Sequence, residues 1–281
     1  MIARRGWCGD FAKNFSGAST RIRRSSSCCS SGDGPPAATS VWTSSRDCEP
    51  GSWPTRWTGA ETATSSMRAD IIRRIIRAYD DPIVRAYCWV RFWILRQRFL
   101  DEIGQYLPES GPVLDIGCGF GLFSLYYAAT APARFVRGVD LNPRRIAMAR
   151  RAAARLAIDN VAYEEGDART FKGDGEIAAA YMLDIVHHIA PDAVPPLLHR
   201  LHAGLTRGGV LIVKDVDTRP APKRWFTWTL DKLMAPATPV RYWSGDELGA
   251  TLRAAGFEVR RHAMLDFLPY PHVIYIATRR P

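Results

Sequence analysis

The sequence predicts an α/β fold: a mostly parallel seven-stranded sheet with helices on both faces and a C-terminal antiparallel hairpin. Three observations predict it. From residue 112 onward, short apolar runs alternate with helical patterns, as parallel βαβ units do. Val113-Leu114-Asp115-Ile116 runs into Gly117-Cys118-Gly119-Phe120-Gly121, a glycine turn between a buried strand and a helix. The last two apolar runs are joined by a proline-containing loop, which reads as a hairpin at the sheet edge.

The elements follow in chain order. Residues 1–66 are rich in Ser, Arg, Gly, Thr and Pro and hold no apolar periodicity. Such a segment cannot bury enough surface to offset its ordering entropy, so disorder is expected. It has no apolar centre of the kind a signal peptide needs; its Arg/Ser bias leaves a transit peptide as an alternative. Met67 opens the patterned sequence, and we expect it to be the natural start, with residues 1–66 as upstream sequence. Ile71, Ile72, Ile75 and Ile76 recur at helical spacing. Asp80-Asp81-Pro82 breaks that helix and opens the next, expected over Ile83–Ile103. This second helix is apolar on most of its circumference, so most of it should be covered. The alternative is an interfacial or substrate-gripping helix. Residues 67–104 thus form cap helices, and residues 105–281 the α/β domain.

Within that domain the expected strands are Pro112–Ile116, Arg134–Asp140, Val161–Glu165, Ile177–Leu183, Val210–Asp215, Phe257–Leu265 and His272–Thr278. Helices are expected over Leu122–Ala129, Pro143–Leu156, Ala193–Leu205 and Ser244–Ala255. The last starts at a cap in which Ser244 and Glu247 stand three apart, and Gly256 closes it. Arg207-Gly208-Gly209 reads as a turn, and residues 218–243 as a Trp-rich connection.

Composition narrows the partners. The formal net charge is +10, which admits nucleic acid, an anionic membrane or an acidic substrate without choosing among them. No uncharged apolar run reaches 18 residues, so no transmembrane helix is expected. Only Cys88 and Cys118 fall in the patterned part, which suits a reducing cytoplasm. No zinc-type cysteine spacing is present.

The glycine turn carries the chemistry. Its spacing is G-x-G-x-G, with Leu122 where a dinucleotide fingerprint has its third glycine, and no P-loop is present. Asp115 precedes it, Asp140 closes the second strand and Asp167 follows the third. In an open parallel sheet, ligands bind at these carboxyl ends. Asp140 suits a ribose diol; the alternative is a helix N-cap. Asp167 reads equally as a turn residue.

Together, the D-x-G-x-G-x-G pattern, the ordered acids and Gly208-Gly209 before a strand resemble class I S-adenosylmethionine (SAM) dependent methyltransferases of the small-molecule type, with their Rossmann-like sheet. The resemblance covers residues 105–281 and is specific over 113–215. It implies SAM as cofactor, held by Asp115, Gly117, Cys118, Gly119 and Gly121. Asp140 would hold the ribose, Leu141 would pack on the adenine, and Asp167 and Ala168 would meet the ring edge. Tyr181 and Met182 would line the methyl-donor end. One departure is Ile177-Ala178, where the family opens its fourth strand with a Phe-Asp-like pair.

Leu183-Asp184-Ile185-Val186-His187-His188 follows the fourth strand and resembles a Leu-His-His segment of that family. His187 or His188 would take a proton from the acceptor, with a structural histidine as the alternative for each. Asp184 is a third candidate, as base or as a group orienting a histidine. Asp184, Asp215 and Asp217 could also surround a divalent metal, although no metal is expected. The implied reaction is methylation of a small, apolar or lipid-like acceptor, in the cytoplasm with weak peripheral contact at the inner membrane face. Nucleic acid is not an expected partner, since Leu183-Asp184-Ile185-Val186 lacks the Pro-Pro-aromatic run of base methylation and no Cys follows Cys118. An RNA methyltransferase and a catalytically silent SAM-binding protein remain the alternatives.

Overall fold

A computed structural model describes residues 59–170, 177–216, 241–264 and 272–281 of the chain. Of residues 1–66, where disorder is expected, 59–66 belong to α1 and 1–58 lie outside the described residues, as do the connection from 217 to 240 and the prolines of the closing hairpin. The elements are α1 (Gly59–Arg77), α2 (Pro82–Ile94), α3 (Gln97–Gly104), β1 (Gly111–Ile116), α4 (Leu122–Thr130), β2 (Arg134–Asp140), α5 (Pro143–Leu156) and β3 (Val161–Glu165). They continue with β4 (Ile177–Leu183), α6 (Val194–Gly204), β5 (Leu205–Val216), α7 (Gly245–Ala254), β6 (Glu258–Met264) and β7 (His272–Thr278).

The seven strands lie in the order β3-β2-β1-β4-β5-β7-β6. β1 pairs in parallel with β2 and β4, and β7 runs antiparallel to both β5 and β6. This is the expected mostly parallel sheet with an antiparallel closing pair. The central strands are buried on both faces, so each reads as a continuous apolar run. Val113, Val136 and Tyr181 face a core shared with α1 to α5. Leu114, Ile116 and Met182 face a second core shared with α6 and α7.

Three boundaries depart from the sequence reading. α1 starts at Gly59, upstream of Met67. β5 starts at Leu205 and runs through Arg207-Gly208-Gly209; Leu205 pairs with Ile177, and the register shifts before Ala179 pairs with Val210. The single helix expected over Ile83–Ile103 is two helices, broken at Leu95-Arg96. The bend turns Leu95, Phe99, Leu100 and Ile103 inward, each at most 3% exposed. A straight helix would carry its second half away from the sheet and leave that apolar face in water.

The expectation that most of the second helix is covered holds only on one side. Val84, Cys88 and Phe92 are buried, while Ile83, Trp89 and Trp93 are 78%, 59% and 47% exposed. Asp81 caps α2, accepting the backbone N–H groups of Ile83 and Val84. Among the described residues, no helix is long and apolar enough to cross a membrane.

Candidate active site

A cleft of about 850 Å³ opens at the carboxyl ends of the parallel strands, where the strand order reverses between β1 and β4. The glycine turn after β1 forms its floor, and the turn's backbone is pinned from several sides. Tyr79 donates its hydroxyl to Phe120 O at 2.7 Å, and Tyr163 donates to Gly121 O at 3.0 Å. Gly119 N donates to Asp140 Oδ2 at 2.9 Å.

The three glycines of the turn all have positive φ, but their surroundings differ. A Cβ on Gly121 would lie 2.5 Å from the Tyr163 hydroxyl, and one on Gly117 would lie 2.6 Å from Ile185. A Cβ on Gly119 would meet nothing within 4 Å. Gly121 therefore serves packing, Gly117 both packs against Ile185 and lines the cleft, and Gly119 leaves space at the cleft floor.

Asp115 lines the cleft and is 3% exposed. Burial pushes its carboxyl up to about 7, against the hydrogen bond it accepts from Ser124 at 2.5 Å and the influence of the nearby Tyr181 hydroxyl. Asp140 Oδ1 accepts from Asn142 N at 2.8 Å, so this carboxylate ties the glycine turn to the end of β2. It does not cap α5. Asn142 does, accepting from the backbone of Arg144 and Arg145. Leu141 stands at the cleft edge, 62% exposed. Asp167 closes its own turn, accepting Arg169 N at 2.8 Å and the Arg169 guanidinium, which holds its carboxyl below the usual range. Cys118 and Ala168 also line the cleft. Burial pushes the Cys118 thiol far up, so it stays protonated.

Met182 does not line the cleft. Side chains alternate along β4, and Met182 packs into the core under α6 and α7; Leu183, one residue on, reaches the cleft.

Asp184 is not placed to act as a base. It sits at φ +57, bonded to the Lys214 ammonium and to Arg91 at 2.8 Å. Burial alone would raise its carboxyl, but Lys214, Arg91 and His272 overcome burial and hold it far below the carboxylate range. A carboxylate held so firmly in its charged form accepts protons poorly. Lys214 is fully buried in β5, and burial lowers its ammonium against the pull of Asp184.

His187 is 3% exposed and reaches the cleft. Its Nδ1 lies 2.5 Å from Asp215 Oδ1, and its backbone N–H donates to Asp215 Oδ2 at 3.1 Å. A carboxylate only accepts, so Nδ1 carries the hydrogen and Nε2 is the basic nitrogen. His188 packs its ring 4.1 Å from that of His187 and also lines the cleft. Burial and the neighbouring His187 push its imidazole down to about 4. Asp184 and Asp215 do not converge on a metal position: one serves Lys214 and Arg91, the other His187. Asp217 lies outside the described residues.

Comparison with known proteins decides the family. The methyltransferase domain family matches residues 91–262, more than half of the chain. The chain belongs to the SAM-dependent methyltransferases. The ribosomal protein L11 methyltransferase of Thiobacillus denitrificans is 34% identical over 41% of this chain and 38% of its own length. The trans-aconitate 2-methyltransferase of Variovorax paradoxus is 29% identical over 41% of this chain and 42% of its own. The chain therefore spans about two fifths of these curated relatives. The SAM-dependent methyltransferase SibL shares the fold, with a TM-score of 0.55, 18% identity and coverage of 79% of this chain and 71% of its own.

The family's cofactor is SAM, and the cleft of this methyltransferase fits it. Gly119 leaves open space on the floor, Asp140 presents a carboxylate beside it, and Leu141 offers an exposed apolar surface at the edge. The sequence reading considered Asp215 only as one of three acids that could surround a metal, which it did not expect, and did not pair it with His187; it assigned no role to Lys214 or Arg91. Lys214-Asp215 stands out in an otherwise apolar strand, Val210–Val216, and that was the available signal.

Proposed function

We propose that this methyltransferase moves the SAM methyl group to a small acceptor with an apolar body, at an atom that must lose a proton, with His187 as the base. The observation that carries the reading is the His187–Asp215 pair at the cleft wall. When bound, SAM supplies an electrophilic methyl group on a sulfonium. Asp140 would accept the ribose hydroxyls while keeping Gly119 in place, since each carboxylate oxygen has a second lone pair. Leu141 would pack on the adenine, with Asp167 and Ala168 at its border. Asp115 would accept from the amino group.

Asp215 orients the His187 ring through Nδ1 and stabilises the imidazolium that forms when Nε2 takes the acceptor proton. The acceptor side is lined by Tyr87, Val90, Ile94, Phe123 and Ile189, which favour an apolar molecule. The cleft volume of about 850 Å³ falls within the range of small-ligand pockets, and α2 walls it on the acceptor side. These features support a small-molecule acceptor over a macromolecular one.

The outer face of α2 supports the membrane part of the reading. Ile83, Trp89 and Trp93 are exposed with Arg85 on α2, and the exposed Arg96 and Arg98 follow in the break and in α3, a mixture suited to the surface of an anionic bilayer. We place the protein in the cytoplasm, in weak contact with the inner face of the membrane, drawing a lipid-like acceptor from it. Activity measurements with SAM and acceptor panels on residues 1–281 and on His187→Gln test the chemistry. Full turnover in His187→Gln would remove His187 as the base.

A further inference from the structure

Five cationic side chains line the cleft: Arg91, Arg145, Arg169, Lys214 and Arg241. Four of them have a carboxylate partner. Arg91 and Lys214 pair with Asp184, Arg169 with Asp167, and Arg241 with Glu247. Arg145 has no acidic partner among the described residues. Its backbone N–H goes to the Asn142 cap, and its guanidinium lies 5.5 Å from the centroid of the Phe120 ring.

The position of Arg145 is set by other elements. Phe120 belongs to the glycine turn, and Tyr87 of α2 packs edge-on against it at 5.3 Å. Tyr79 holds the Phe120 carbonyl. The guanidinium is thus laid on a ring that is itself clamped. Its positive charge is felt both by Cys118 in the turn and by His188 across the cleft. A half-buried cation whose fork makes no hydrogen bond among the described residues thus lines the cleft beside the glycine turn.

We propose that Arg145 is an anchor for an anionic group, a carboxylate, on the acceptor. The inference rests on the small-acceptor reading above and narrows it to an amphiphilic acid. A guanidinium fork matches a carboxylate in two hydrogen bonds, and stacking on an aromatic ring keeps the fork pre-organised. With its carboxylate on Arg145, an acid would lie with its body along Phe123, Val90 and Ile189, across the cleft toward His187. The cationic site also offsets the desolvation of a carboxylate beside a sulfonium. The competing occupant is the methionine carboxylate of SAM itself, and the test separates the two.

The full chain is loaded with S-adenosylhomocysteine and titrated with benzoate and octanoate, each against its neutral amide, by calorimetry. The same titrations are run on Arg145→Met, which keeps the length and loses the charge, and on Arg145→Lys. At least one carboxylate should bind tenfold or more tightly than its amide. Arg145→Met should erase that preference, Arg145→Lys should restore part of it, and affinity for S-adenosylhomocysteine should stay within twofold in both. Equal binding of acid and amide, no binding of either carboxylate, or a preference that survives Arg145→Met would overturn the proposal. So would a tenfold loss of S-adenosylhomocysteine affinity in Arg145→Met, which would assign the arginine to the cofactor. Failure of the unaltered protein to bind S-adenosylhomocysteine would strike the methyl-transfer reading itself.

Discussion

Asp215 holds His187 at two points, with Oδ1 at 2.5 Å from the ring Nδ1 and Oδ2 accepting the backbone N–H at 3.1 Å. The ring cannot rotate about its χ angles without losing the first contact, and the turn cannot shift without losing the second. For His187→Gln we expect turnover to fall by roughly 10²–10⁴-fold, the usual share of a general base. Asp215→Asn should fall by a similar order, because the amide no longer selects the tautomer. Affinity for S-adenosylhomocysteine should be unchanged in both. The pH profile discriminates between the two histidines. With its imidazole near 4, His188 would give a rate that rises between pH 4 and 5 and is flat above. Loss of the pH-dependent limb in His187→Gln, with its retention in His188→Gln, assigns the base to His187.

The glycine turn should divide into packing and ligand positions. Gly121→Ala brings a methyl group against Tyr163, and should lower the melting temperature. Gly119→Ala meets no neighbour, so its cost is the left-handed backbone alone, roughly 1–2 kcal/mol. Its larger effect should be on cofactor affinity, by about tenfold or more, since the methyl enters the space left for the ligand. Melting curves and calorimetry on the two variants check this. Equal loss of stability with intact affinity in Gly119→Ala would speak against the cofactor floor.

Asp184 and Lys214 should be strongly coupled. Asp184→Asn leaves the Lys214 ammonium buried without its anion, at a cost of about 3–5 kcal/mol. Lys214→Met should also destabilise, and the double variant should recover part of the loss. Asp184 has a folded value depressed from 3.8, so it contributes stability above pH ~4 that is lost as pH falls further. Denaturant titrations between pH 3 and 7 on wild type and the double variant should show a steeper acid loss in wild type.

Asp115 predicts a proton linked to cofactor binding. Its folded value of about 7 lies above the ordinary 3.8, so the fold favours the protonated form. Ionising it costs stability that accumulates as pH rises from 4 to 7, with Asp140 adding to burial and with Ser124 and Tyr181 opposing. A bound ammonium favours the carboxylate, so SAM binding near pH 7 should release a proton and tighten between pH 6 and 8. Calorimetry in buffers of different ionisation enthalpy measures that proton. Asp115→Asn should abolish both the release and the pH dependence.

The exposed face of α2 predicts salt-sensitive binding to anionic vesicles. Trp89→Ala with Trp93→Ala should weaken co-sedimentation without altering the melting temperature, because both rings are exposed. Trp225 and Trp228 lie in the connection outside the described residues, and the same assay on their alanine variants tests whether that segment contributes. Unchanged sedimentation in the Trp89/Trp93 variant would leave α2 out of the contact.

Some of this was legible from neighbours along the chain. Alternating strand and helix patterns, the D-x-G-x-G-x-G turn and the acids after β1, β2 and β3 are local features, and the sheet follows them closely. Backbone hydrogen bonding and one- or two-sided burial impose those periods on any short window, so the sequence by itself determined the elements and the mouth of the cleft. It did not determine the partners. His187 and Asp215 are 28 residues apart, and Arg91 and Asp184 are 93 apart. They meet because β4 lies beside β5 with Leu183 opposite Lys214, a register set by packing over the whole sheet. Only that packing turned Asp184 from a candidate base into a buried ion-pair member. It also sent Met182 to the far core and bent the chain at Leu95, where burying four apolar side chains outweighs the continuity of one helix.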